Sequence, residues 1–91
     1  MIDAKTMEAI VAEYHDELRG IAAYGKLYKA MVEQKAPEGH LTMIREIMKD
    51  EMQHKDCLYK MIMANHAFEP DPIVKATKEA EEAYESVFGS N

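Results

Sequence analysis

The 91-residue chain has no tryptophan, one cysteine, three prolines and four glycines, and only 11 basic residues against 17 acidic ones. Each shortage removes a class of protein. A lone cysteine, Cys57, closes no intrachain disulfide, and without a CxxC pair the chain cannot hold zinc or iron through paired thiolates. A single thiol of this kind is expected to be buried. The net charge is −6 with no basic cluster, so the phosphate-neutralising patch that a nucleic-acid binder needs is missing. No apolar run approaches the ~20 residues that span a bilayer. The opening MIDAKTMEAI has neither a basic segment followed by an apolar one nor a lipidation signature, and cytoplasmic placement is expected. Neither nucleic acid nor membrane is expected as a partner.

What remains is a helix-forming composition, 47% hydrophobic and 31% charged, with eight methionines. A chain this short buries only ~60% of its unfolded surface, so one domain spanning 1–91 is marginal alone and association is expected. Apolar residues recur at helical spacing as Met7, Ile10, Val11, Tyr14, Leu18, Ile21, Tyr24, Tyr28, Met31 and Val32, predicting a helix over about 4–35 with Asp3 as its N-cap. The KAPEG stretch ends it, with Pro37 disfavouring helix at Ala36 and Gly39 freeing the backbone to turn. Leu41, Ile44, Ile47, Met48, Leu58, Met61 and Ile62 predict a second helix over about 40–66, antiparallel to the first. After the FEPDP break, Ile73, Ala76, Ala80, Ala83, Tyr84, Val87 and Phe88 outline a helix over about 72–88 that is expected to dock on the hairpin rather than build its core. Its EAEEAYE run reads as a solvated face. No internal repeat or low-complexity tract is present.

Both long helices break their apolar stripe with polar residues. Glu17 follows Tyr14 by three positions, and in EMQHKDC Glu51 and His54 stand where the pattern calls for Leu or Met. Residues three apart differ by ~60° around a helix and ~4.5 Å along it, so Glu51 and His54 reach toward one region. Distances from the turn let Glu17 converge with them near mid-hairpin. Buried carboxylates need compensation. An inward lysine or arginine or a water-filled seam would supply it, although Arg19, Lys49 and Lys55 fall off the stripe; a metal ion is the third solution. The oxygen and nitrogen donors suit iron or manganese, with zinc a further candidate and calcium disfavoured. One hairpin holds half a site. Two copies about a two-fold axis supply two Glu and two Glu-x-x-His sets, the ligands of a di-iron carboxylate centre in a four-helix bundle. His15, His40 and His66 lie off the stripe, in the turn and at a helix end, and are not expected to ligate.

At DELRGIAAYGKLY, with Glu17 and Tyr24, and EIMKDEMQHKDCL, with Glu51 and His54, the sequence resembles the ferritin-like superfamily, nearest to the rubrerythrins and the two-helix encapsulated ferritin-like proteins. The likeness covers about 10–66. It implies an antiparallel helical hairpin plus a short C-terminal helix, dimerising into a four-helix bundle, and allows residence inside a protein compartment. It implies Glu17 as a terminal iron ligand, Glu51 as the bridge, His54 as the nitrogen ligand and Tyr24 as a hydrogen-bond donor beside the site. The chain departs from a complete rubrerythrin in having two long helices rather than four, no assignable additional glutamate and no cysteine-bound iron. The tail ESVFGSN is not a distinctive encapsulation signal.

The expected function is therefore oxidation of Fe(II) by dioxygen or peroxide, or reduction of peroxide with electrons from an outside donor, catalysed by Glu17, Glu51, His54 and Tyr24 in a homodimer or a higher homo-oligomer. Two rivals stand beside it: a passive iron- or metal-binding module, and a metal-free helical interaction protein.

Overall fold

The computed structural model describes residues 2–65 and 71–89. The architecture is all-helical: α1 (Ala4–Glu33), α2 (Glu38–Ala64) and α3 (Asp71–Phe88) form a body of 48 × 21 × 20 Å. No described helix is long and apolar enough to cross a membrane. Asp3 caps α1 as expected, its carboxylate accepting the Thr6 N–H at 2.7 Å. That bond holds the Asp3 pKa below the ordinary carboxylate value.

The turn differs from the sequence expectation. Gly39 lies inside the first turn of α2, and so does His40; the left-handed residue is Lys35, at φ 56°. Ala36 N–H bonds Met31 C=O and Lys35 N–H bonds Val32 C=O, which together close the end of α1 as a Schellman motif. The left-handed conformation costs an L-residue roughly 1–2 kcal/mol. Glycine's extra freedom in the unfolded chain returns about 0.4–1 kcal/mol of that. Lys35→Gly should therefore stabilise the chain by roughly 0.5 kcal/mol, measurable as a higher urea midpoint at unchanged m.

α1 lies between the other two helices, and α2 and α3 barely touch. The core is Tyr14, Leu18 and Ile21 of α1, Met48 and Ile62 of α2, and Ala80 of α3. With Ala80 fully buried, α3 is part of the core and not an accessory to it, correcting the sequence expectation. The reason lies in the small residues that let α3 approach: a Cβ built on Gly25 would stand 3.2 Å from the Ala83 Cβ. Pro72 sits in the first turn of α3, where a missing N–H costs nothing. The acidic residues of EAEEAYE are exposed, as predicted. His66, Pro70 and the side chain of Ile73 lie outside the described residues.

The phase of α2 is also corrected. Its buried row is Leu41, Met48, Lys55 and Ile62, spaced by seven, so the expected stripe residues Ile47 and Met61 are 37% and 46% exposed. Lys55, expected off the stripe, is buried, whereas Cys57, expected to be buried, is exposed. Because α1 is the only helix against which α2 packs closely, α2 hides a narrow arc, and residues one position away from it face outward. Val32, at the end of α1, is exposed for want of a neighbour.

Candidate metal centre

Glu17 and Gly20 stand on one face of α1, three residues apart; Glu51 and His54 stand at the same spacing on α2. The antiparallel packing brings them together. Glu17 Oε1 lies 3.6 Å from His54 Nδ1. Glu51 lies close enough to Glu17 for the two carboxyls to interact, and its carboxyl rests on the α1 backbone at Gly20. A Cβ on Gly20 would overlap the carboxylate, with Glu51 Cδ at 2.9 Å and Oε1 at 3.0 Å. The missing side chain thus makes the space that Glu51 occupies.

The three side chains are not all buried, as the stripe had implied. Glu17 is 21% exposed and Glu51 intermediate, while His54 is 63% exposed. They form a polar centre that is open to solvent at His54. The same two helices also expose large apolar side chains, among them Met43, Ile47 and Met61 of α2 and Leu27 of α1. Ile47, His54 and Met61 follow one another at intervals of seven, on a single line along α2.

The electrostatics are those of two carboxylates crowded together. Burial, then the charge of Glu17, then the hydrogen bond shared with Glu17 push the Glu51 pKa up, and His54 only partly opposes this. Among the described residues no lysine or arginine pairs with Glu17 or Glu51. Arg19 binds Asp16 and Lys49 lies 3.7 Å from Glu46, while the inward-turned Lys55 binds Asp56. The inward cation that could have compensated the site is therefore not in place.

Since the folded value lies above the unfolded one, the metal-free fold holds the Glu51 proton more tightly than the unfolded chain does. Its contribution to stability is full below the ordinary carboxylate range and is lost as pH rises through the raised value. Glu51→Gln should flatten that fall, read as the thermal midpoint of chelated protein between about pH 4 and 7.

The donor set of two carboxylates and one imidazole suits iron, manganese or zinc, and a cation between Glu17 and Glu51 would relieve the repulsion that raises the Glu51 pKa. Within one chain, among the described residues, no three His, Cys, Asp or Glu side chains are gathered closely enough to enclose an ion. Tyr24, four residues beyond Gly20, is half-buried and packs on the core, and among the described residues no hydrogen bond joins its hydroxyl to Glu17, Glu51 or His54. His15 packs edge-on against Tyr14, with ring centroids 6.3 Å apart, and His40 is exposed.

Gly20 was the readable signal that sequence reasoning passed over. A glycine inside a long helix costs up to ~1 kcal/mol relative to alanine and needs a packing reason. Comparison with protein-family models, curated proteins and solved structures finds no match to this chain. The class of protein rests on its own geometry: an all-helical chain with a Glu/Glu/His centre on an open helical face.

Proposed function

We propose that two copies of the chain pair across the open face of the α1–α2 hairpin, completing a ferritin-like four-helix bundle, and that Glu17, Glu51 and His54 of both chains hold a pair of iron ions with ferroxidase or peroxide-reducing activity. One observation carries the reading: the Glu51 carboxylate is seated on Gly20 with Glu17 and an exposed imidazole close by, on a hairpin that also exposes Leu27, Met43, Ile47 and Met61. A second copy would cover those apolar residues, remove water from the polar centre and double three donors to six. Iron bound there would supply two-electron redox chemistry toward dioxygen or peroxide.

The chain's own residues have definite tasks in this scheme. Glu51, crowded by Glu17, would have to be ionised to hold a cation. Gly20 fixes where its carboxylate stands. His54 supplies the nitrogen donor from the outer edge, where it can meet the partner copy. Tyr24 is the nearest phenol along the same face of α1. In the peroxidase form an external reductant is required, since Cys57 is alone. Manganese or zinc in place of iron would leave the ligand roles unchanged.

Fe(II) added to purified metal-free protein in air should be oxidised well above the buffer rate, with matching oxygen or peroxide consumption. Acidification should release the metal, because protons compete for all three donors. Metal bound without oxidant consumption would favour the passive binding module. A metal-free interaction protein is the second reading, and elemental analysis of untagged protein separates it from the first.

A further inference from the structure

A second charged residue interrupts the apolar pattern on the other side of α2. Leu41, Met48, Lys55 and Ile62 form the buried row of that helix, and Lys55 is only 8% exposed. Desolvating an ammonium is costly unless it is well paired. Its partner is Asp56, at 3.1 Å, whose own side chain is 59% exposed and hence well screened. An ammonium has three N–H donors, so a second anion can be accommodated beside Asp56.

Lys55 lines a cavity of about 440 Å³ between α2 and α3, where those helices fail to meet and α1 provides the floor. Its aromatic wall is Tyr14 and Tyr59, with ring centroids 5.9 Å apart. The Tyr14 hydroxyl and Thr77 Oγ1 are hydrogen-bonded at 2.7 Å, which ties the floor to α3. Lys78 brings a second ammonium to the rim, facing the cavity from α3 together with Val74 and Glu81. Volume, aromatic surface and a buried cation together are the features of a small-molecule site.

We propose that this cavity binds a small aromatic carboxylate, its ring against Tyr59, which the fully buried Tyr14 backs, and its carboxylate on Lys55, with Lys78 closing from the rim. The ring recovers apolar and aromatic contact, and the carboxylate gives the buried ammonium the partner that a screened Asp56 supplies only in part. The site shares no residue with the Glu17–Glu51–His54 centre and stands whether or not that centre binds metal.

The test is an NMR-detected titration of the full chain with benzoate, with benzamide and acetate as probes lacking the charge and the ring. Benzoate should bind saturably, shifting the backbone amides of Tyr14, Lys55, Tyr59 and Thr77, and both control probes should bind at least about tenfold more weakly. Lys55→Met, which keeps the side-chain volume and removes the charge, should weaken benzoate about tenfold or more. Lys78→Ala, at an exposed position, should weaken it severalfold and serves if the Lys55 variant does not fold. Glu51→Ala should leave the titration unchanged. No saturable benzoate binding, equal binding of benzamide, or undiminished binding in both lysine variants would overturn the proposal.

Discussion

Gly20→Ala is expected to move metal affinity and metal-free stability in opposite directions. Alanine inside a helix is favoured over glycine by up to about 1 kcal/mol. The atoms it would strike are the far end of the flexible Glu51 side chain, which can swing outward. Freed from Glu17, Glu51 also escapes the crowding that raises its pKa. The metal-free variant should therefore be as stable as wild type or more so, judged by urea denaturation. Iron affinity should fall by at least the ~10–100-fold that disturbed supporting residues cost at metal sites, since Glu51 can no longer stand beside Glu17. Parallel losses of stability and affinity would mean that Gly20 serves packing alone. Unchanged affinity would remove Glu51 from the ligand set.

Ile47→Glu should abolish the dimer without harming the monomer. Ile47 is 37% exposed in the single chain, on the line that includes His54 and Met61, and is not one of the buried core residues. A surface substitution of this kind changes monomer stability by no more than about 0.5 kcal/mol. In a symmetric interface the new carboxylate enters twice and is desolvated each time, at several kcal/mol per ion. Association should weaken by on the order of a thousandfold or more, and with it the binding of iron, although Ile47 donates no ligand. Light scattering against concentration, paired with iron analysis, reads both effects. A dimer of wild-type strength would place the interface on another face.

Much of the architecture was legible because its causes are local. Asp3 at the start of α1, the proline at the loop and the apolar spacing of three and four residues set the helix bounds to within a few positions. The juxtaposition of Glu17 with Glu51 and His54 followed from counting residues outward from the turn. The phase of α2 was not legible. Ile47 and Met48 are neighbours in sequence and equally apolar, yet one is exposed and the other fully buried. An arc suited to a second copy has the same composition as one that faces the chain's own core. Lys55 was missed for the same reason, since a lysine is assigned to solvent unless the fold shows that its row is buried. The left-handed turn fell on Lys35 and not Gly39 because the Schellman hydrogen bonds select a position relative to the end of α1, whatever residue stands there.

Sedimentation velocity with metal analysis of the same boundary reads whether the proposed metal centre is shared between two chains. Iron-loaded protein should run as a dimer carrying two irons per pair of chains, and chelation should shift it toward monomer because metal that binds only the assembled site stabilises the assembly. A monomer that retains its full complement of iron would contradict the shared centre, as would a dimer that binds no iron or, in the Glu51→Ala variant, keeps both.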